Sequence, residues 1–370
     1  MRIKLLILVD RLDLAGGLER SLANKVRTWC DDGHEVHIAS IEQKGRDYYS
    51  IDARAIRWNL DIDYARDVPL LETRNIKCAI NHFIKLRRSY RKIRPTHIIH
   101  CAYGFDFYFL PIIARKAFLI KENHSSRHQW VNVNKDKFSL IKAKIRFWFD
   151  SRYDAAVFLS DEEARLSGLR NTVVIPNGLD ERVVPDRERK MQVISAGRIC
   201  QVKGFDRLIE AWAIASPKLA GWNLAIFGDG TAADVAELKN KIAHLGLSEC
   251  VAVNPSTPEI IDRMAESRIY AMASRSECFP MVLLEAMQVG LPIVAYDCPT
   301  GPRNIITDGT TGVLVPDGDA TAFSNALVKL ANDPKMEGVI GTNARSALQR
   351  FESANIGRMW SALFSSTEAL

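Results

Sequence analysis

Gln192-Val-Ile-Ser-Ala196-Gly197-Arg198-Ile-Cys-Gln-Val-Lys203-Gly204-Phe205 is the stretch that decides how this chain folds. Its apolar start predicts a buried strand over 192–196, and the spacing from Phe205 predicts a helix to Ala215. Between them lie a glycine turn and two cations. The chain opens in the same way, with a strand over Ile3–Val9, a glycine-containing loop over Asp10–Gly17 and a helix over Leu18–Cys30. Gly33 ends that helix and a strand follows over Glu35–Ser40. A strand-helix-strand opening that restarts at mid-chain marks two successive βα arrays.

Working outward, Pro176-Asn-Gly178 is a turn signal, and the charged stretch through Pro185-Asp-Arg-Glu-Arg-Lys190 reads as a linker. Before it, strands are predicted over Thr96–Cys101, Ala117–Lys121, Ala155–Ser160 and Thr172–Ile175. After it they are predicted over Asn223–Phe227, Cys250–Asn254, Ile269–Ala273, Pro292–Tyr296 and Gly312–Val315. Helices are expected over Asp234–Leu245, Met281–Gly290 and from Asp319 onward. A single core stops growing at about 250–300 residues, so 370 residues imply two domains. The expectation is two facing, doubly wound parallel-sheet domains, 1–180 and 181–351, with a C-terminal helix (about 352–370) returning to the first. Ligands of such sheets bind beyond the C-terminal strand ends, so a cleft between the domains is the expected site.

With 47% apolar and 25% charged residues the composition is that of an ordinary globular protein. No apolar run approaches the roughly 18 residues of a membrane span, and Leu5–Val9 is too short for a signal-peptide core. The seven cysteines are scattered without a C-x-x-C pair, which points to reduced thiols in a cytoplasmic setting. Charge is uneven: residues 1–180 hold 31 Lys+Arg against 22 Asp+Glu, a balance of +9 within a total of +6.

The richest chemistry lies in Ser274-Arg-Ser-Glu277-Cys278-Phe279-Pro280-Met281-Val282-Leu-Leu-Glu285. Pro280 suits the first position of a helix, whose free N–H groups and positive end would face the loop carrying Glu277. Glu285, one turn in, has the two acceptor oxygens that a vicinal diol such as a ribose needs. The plainer alternative for both acids is compensation of the helix dipole. Arg198 and Lys203, on a strand-to-helix turn, suit a diphosphate; merely solvated surface cations are the alternative.

Together these segments resemble the family 4 retaining glycosyltransferases of the two-domain GT-B type. The resemblance rests on the glutamate pair Glu277 and Glu285, the G-R-x4-K-G element from Gly197 to Gly204, and the glycine pair Gly16-Gly17. Pro176-Asn-Gly178, Gly228-Asp-Gly230, Gly290-Leu-Pro292 and Asp297-Cys-Pro-Thr-Gly301-Pro302 add to it. It covers nearly all of residues 1–350, densely over 191–316 and more weakly over 30–150. The resemblance implies that Glu285 binds the donor ribose. Glu277, with backbone amides around Phe279, Pro280, Met281 and Val282, would hold the donor sugar. Arg198 and Lys203 would neutralise the leaving diphosphate, and Gly16 and Gly17 would let backbone approach a phosphate or the acceptor. It also implies a retaining reaction without a covalent intermediate. The donor would be a nucleoside-diphosphate hexose or N-acetylhexosamine, UDP-linked by similarity to enzymes of bacterial surface-polysaccharide assembly, and the acceptor a glycan or a lipid-linked oligosaccharide.

One residue departs from the pattern: Cys278 stands where the family usually has glycine, and would be strained if that position required a positive φ. Metal independence and no cofactor are expected, because the triplets Asp61-Ile-Asp63 and Asp317-Gly-Asp319 read as a charged loop and a turn before a helix. In the first half, Lys121-Glu122-Asn123-His124 follows a predicted strand and resembles the loop that carries a cleft histidine. His124 is the candidate, with Glu122 orienting it; His100 and then His128 are fallbacks.

Residues 74–94 contain eight Lys/Arg, and no acid occurs between Glu72 and Asp106. Ile76, Ile80, Phe83, Ile84 and Tyr90 recur among them at helical spacing. A second basic stretch, Lys135 to Arg146, ends in Phe147-Trp-Phe149. Peripheral docking on the anionic inner face of a membrane is one reading, a core helix with a solvated basic face the other. Nothing in the sequence marks a nucleic-acid module. Gly228-Asp-Gly230-Thr-Ala-Ala233 imitates a dinucleotide fingerprint, so an NAD(P)-dependent oxidoreductase is the rival enzyme. A sugar-nucleotide epimerase, a phosphorylase and a non-catalytic sugar-nucleotide-binding protein keep the fold and change the role.

Overall fold

The computed structural model describes residues 2–65, 72–102, 104–126, 137–180, 182, 184 and 187–366, with backbone only at 137–140 and 142. The chain divides into two units. Met1–Gly178 with Ser353–Leu370 forms the N-terminal unit, and Leu179–Glu352 the C-terminal unit.

The N-terminal unit is built on a parallel sheet of seven strands. These are β1 (Lys4–Val9), β2 (Glu35–Ser40), β3 (Ile56–Asn59), β4 (His97–His100), β5 (Phe118–Glu122), β6 (Ala155–Phe158) and β7 (Thr172–Val174). Their order is β3-β2-β1-β4-β5-β6-β7. The interior strand β1 shows why its sequence is an unbroken apolar run. Leu5, Ile7 and Val9 enter the core on one face, and Leu6 and Leu8 the core on the other. The Gly17–Asp31 and Ser353–Ser365 helices cover the first face, where Trp29 meets Trp360 edge-on at 5.4 Å. The Thr73–Ile93, Asp106–Ile113 and Lys137–Asp150 helices cover the second.

The C-terminal unit repeats the plan with six parallel strands: β8 (Gln192–Ala196), β9 (Asn223–Phe227), β10 (Val251–Asn254), β11 (Ile269–Met272), β12 (Ile293–Tyr296) and β13 (Val313–Val315). The order is β10-β9-β8-β11-β12-β13. Each half of the sheet therefore runs outward from β8 or β11, and the order reverses between those two strands, the usual ligand position in such sheets.

Two expectations change. Strand β3 was not foreseen: it is a four-residue edge strand, mostly exposed, and its apolar alternation covers only Ile56 and Trp58, too short a run to stand out. The Met281–Gln288 helix stops two residues short of the predicted end, because Gly290, at φ +65, closes it in the left-handed region. No described helix is long and apolar enough to cross a membrane.

Candidate functional site

In the C-terminal unit, two loops meet at the C-terminal ends of β8 and β11. Gly204 makes their approach possible: it sits at φ +65, and a Cβ there would fall 2.0 Å from the Ala273 carbonyl oxygen. That closeness brings the Lys203 ammonium to Glu277, where it donates to Oε1 at 2.7 Å. Ser274 Oγ donates to the same oxygen at 2.7 Å. From behind, Thr300 Oγ1 donates to the Glu277 carbonyl oxygen. Thr300 does so at φ +53, a conformation that costs a β-branched residue about 1–3 kcal/mol. Glu277 is thus held at its carboxylate and at its backbone. It is buried, and a buried carboxylate is tolerated only when paired and hydrogen-bonded.

Pro280 stands just before the Met281–Gln288 helix, in extended conformation, rather than at the first helical position. Pro280 gives this helix no side-chain cap and no acid lies in its first turn, so its positive end is not compensated from within the helix. Glu285, buried, lies one turn in. Burial pushes the Tyr270 phenol up, and the charges of Glu285 and Glu277 push it further. The Tyr270 hydroxyl donates to the Ala196 carbonyl at 3.2 Å. Ser195, Ala196, Lys203, Ser274, Glu277 and Val282 line one hollow. Arg198, two residues on from Ala196, is exposed and is not among the residues that line it. Phe279 and Met281 are buried, and the Phe279 ring packs edge-on against Phe351 at 5.4 Å. Their side chains belong to the packing of the unit.

Cys278 is buried and is not among the left-handed residues, so cysteine carries no backbone strain there. The glycines that imitate a dinucleotide fingerprint serve the protein's own backbone. A Cβ on Gly228 would lie 1.9 Å from the Gly197 carbonyl oxygen, and one on Gly230 2.4 Å from that of Ile199. The second acidic triplet is also engaged. Asp317 pairs with Arg207 at 2.7 Å, Asp319 caps the Ala320–Asn332 helix, and Asp61 occupies the left-handed region.

In the N-terminal unit, Gly16 precedes the Gly17–Asp31 helix at φ −125, so its value is space rather than a positive φ. That space is taken by Glu19, whose Oε2 lies 2.1 Å from where a Cβ would stand. The Glu19 carboxylate thus lies at this helix end beside Gly16.

His124 Nε2 lies 3.3 Å from Glu122 Oε1, as the sequence suggests. Glu122 is shared, however: the Lys25 ammonium donates to Oε1 and Cys101 Sγ to Oε2 at 3.4 Å. Lys25 was missed, although a lone lysine between Leu22, Val26 and Trp29 on a core-facing helix stripe was its signal. Burial lowers the His124 pKa, against the pull of Glu122, and favours a neutral ring. His100 is excluded as the ligand-facing histidine. It is fully buried, with Nε2 2.8 Å from Asp106 Oδ2 and Nδ1 3.3 Å from the Tyr153 hydroxyl. His128 lies outside the described residues. Cys101, Glu122 and His124 place potential metal-ligand atoms within 4.8 Å of one another. The ammonium of Lys25 already neutralises that carboxylate, and burial raises the Cys101 thiol, so the set as folded does not favour a cation.

Residues 15–183 match the family model described as Glycosyltransferase Family 4, and residues 179–347 the one described as Glycosyl transferases group 1. The exopolysaccharide phosphotransferase SCO2592 of Streptomyces coelicolor is 33% identical over 219 residues, which span 57% of this chain but 23% of that protein. The amylovoran biosynthesis glycosyltransferase AmsD of Erwinia amylovora is 26% identical over 319 residues, covering 82% of this chain and 84% of AmsD. Among solved structures, Anabaena HepE in complex with UDP and glucose superposes with a TM-score of 0.79 at 20% identity, covering 99% of this chain and 100% of that one.

Proposed function

This chain belongs to the family 4 glycosyltransferases, with the two parallel-sheet units of the GT-B class, and from that premise we propose that it moves a hexose or N-acetylhexosamine from a UDP-linked donor to a glycan or lipid-linked acceptor in bacterial polysaccharide synthesis. The observation that carries the reading is the grip on Glu277 by Lys203 and Ser274 beside an uncapped helix end. A carboxylate suited to sugar hydroxyls is thereby set against donors suited to a diphosphate. HepE, described with UDP and glucose, and AmsD, named for a polysaccharide, support the choice of donor and pathway.

In this reading Glu285 accepts hydrogen bonds from the ribose diol, and Glu277 from hydroxyls of the transferred sugar. Lys203 uses one of its three donors on Glu277, leaving two for phosphate oxygens. As the anomeric C–O bond breaks, negative charge grows on the departing diphosphate. Arg198, Lys203 and the N–H groups at Met281 and Val282 stabilise that charge. The acceptor oxygen bonds to the anomeric carbon on the face that the phosphate leaves, and its proton passes to a departing phosphate oxygen. The configuration is retained without a covalent intermediate. Fixed cations take the place of a metal in this proposal, and the carboxylates of Asp317 and Asp319 are engaged elsewhere. His124 offers a neutral imidazole to the sugar or its phosphate. An acceptor carried on a lipid would bring the basic N-terminal unit to an anionic membrane surface.

Turnover across a panel of sugar nucleotides tests the proposal. Transfer is expected from a UDP-sugar, with Glu277→Ala lowering kcat by about 10²–10³, the scale of one lost transition-state contact. Thermal stabilisation by NAD(P) but not by UDP would overturn it.

A further inference from the structure

The Lys25 ammonium has no part in the donor chemistry, yet it is built into the N-terminal unit with care. Lys25, on the Gly17–Asp31 helix, donates to Glu122 Oε1, and both side chains are buried. The ammonium lies over two tryptophan rings, 5.9 Å from the Trp29 centroid and 5.4 Å from that of Trp360. Cys101 Sγ donates to the other carboxylate oxygen at 3.4 Å. Burial raises that thiol, so it adds no charge. Asn123, between Glu122 and His124, is tied to the Val157 carbonyl by its backbone N–H at 2.9 Å and by Nδ2 at 3.1 Å. The imidazole therefore leaves a strand end that is anchored through side chain and backbone alike.

A carboxylate beside an imidazole ordinarily draws a proton onto the ring, raising its pKa by about one to three units. Here Lys25 balances the carboxylate. Burial pushes the Glu122 carboxyl up, but Lys25 and His124 outweigh it and hold the group below its usual range. On the ring burial dominates, Glu122 pulls the other way, and Lys25 and Lys121 oppose that pull. Among the described residues, the titratable groups that face the ring are Lys25, Cys101, Lys121 and Glu122. Lys121 does not replace Lys25 on the carboxylate. It donates instead to the carbonyls of His100, Ala102 and Glu122, at 3.1, 2.8 and 3.1 Å. His124 Nε2 lies 3.3 Å from Glu122 Oε1, which leaves Nδ1 as the nitrogen for a ligand.

We propose that Lys25 is a positioning residue for sugar transfer: by balancing Glu122 it keeps His124 uncharged and holds Nδ1 toward the substrate. An imidazole at its ordinary pKa changes charge close to neutral pH. A charged ring beside the diphosphate would also bind the ground state as firmly as the departing group, with no gain in rate. A ring kept neutral presents one hydrogen-bonding form throughout. The proposal rests on the reading of His124 as the residue that meets the sugar or its phosphate.

Titration of the full chain by NMR, with histidine isotope-labelled at Cε1, tests it; His124→Gln identifies the His124 signal. Lys25→Met leaves Glu122 without its cation, and the His124 pKa should rise by about one to three units. Lys25→Met/Glu122→Gln removes both charges together, and should return the ring to within about half a unit of wild type. The acid limb of UDP-glucose turnover should follow the ring, moving up in the single variant and back in the double one. A role in packing alone would produce no such return. A His124 pKa that ignores Lys25→Met overturns the proposal, and so does a double variant that stays shifted. Should Lys25→Met fail to fold, the double variant decides, because a ring more than about one unit from wild type would show that the pair does not cancel. A turnover profile that ignores the shifted ring also overturns the positioning role. Absence of UDP-glucose turnover in the wild type, with the rings titrating as expected, would count against the donor reading and not against the buried pair.

Discussion

The Arg275 guanidinium closes on the Asp206 carboxylate through two parallel hydrogen bonds, Nη1 to Oδ1 at 2.7 Å and Nη2 to Oδ2 at 2.5 Å. Nη1 also donates to the Gln201 carbonyl at 2.7 Å, and the Arg275 backbone N–H to that of Val202 at 2.8 Å. One residue thus fastens the loop that carries Lys203 to the loop that carries Glu277. The Arg275 hydrogen bonds hold the Asp206 carboxyl below its usual range. Arg275→Ala should therefore lower kcat by about 10–100-fold through misplacement of Glu277, with far less change in melting temperature. Arg275→Lys should recover only part of the loss, since an ammonium lacks the planar fork. Steady-state kinetics with thermal melts check both; wild-type kcat in Arg275→Ala would show that the staple positions nothing.

Cys278 replaces a glycine that the family pattern favours, yet its backbone needs none. Among the described residues, the non-glycine left-handed ones are Asp61, Arg94 and Thr300. Cys278→Gly should relieve no strain and instead cost about 1 kcal/mol through backbone freedom and lost packing. The donor KM should stay within about two-fold. Denaturant titration and a KM measurement suffice, and a more stable glycine variant would contradict the geometry.

How much of this was legible in the sequence follows from where each residue's partner lies. Strands β1, β8 and β9 are buried on both faces, so composition alone marks them, and Gly197-Arg198 with Lys203-Gly204 mark the turn. The exposed edge strand β3 has no such signature. Glu277 and Glu285 stand out because one short segment holds them both. The staple between Arg275 and Asp206 spans 69 positions, and that between Lys25 and Glu122 spans 97. No local pattern reports such pairs; only the sheet order brings them together. At Gly16 the sequence reads as room for a ligand, and in the fold the Glu19 carboxylate stands beside that room.

Gly228 separates the two enzyme readings by its surroundings. In a dinucleotide site the glycines make room for a pyrophosphate. Here Gly228 makes room for the Gly197 carbonyl, on the turn that presents Arg198. Gly228→Ala must push that turn away by more than an ångström. It should cost several kcal/mol of stability and weaken UDP binding at least ten-fold. Thermal melts with and without UDP measure both effects. An alanine variant that folds and binds UDP like wild type would remove Gly228 from the architecture of the site.

Acid should unfold the N-terminal unit first. His34, His82, His97, His100 and His124 all belong to it, and in each burial lowers the pKa below the ordinary histidine value of about 6.5. The C-terminal unit contains a single histidine, His244. The sign follows from proton counting. Below about pH 6.5 these rings take up protons in the unfolded chain while the folded unit resists them, so the unfolded state binds more protons and stability falls as pH falls. Each histidine contributes at most about 1.4 kcal/mol per pH unit, and less where it is partly exposed. The loss should appear between about pH 6.5 and 5, above the range where carboxylates titrate. Denaturation at pH 7.5 and 5.5, followed by single-tryptophan variants that keep Trp360 for one unit or Trp212 for the other, would resolve the two. The Trp360 transition should move to lower denaturant at pH 5.5 while the Trp212 transition holds its place. Equal shifts in both would mean that the buried histidines do not set the acid stability.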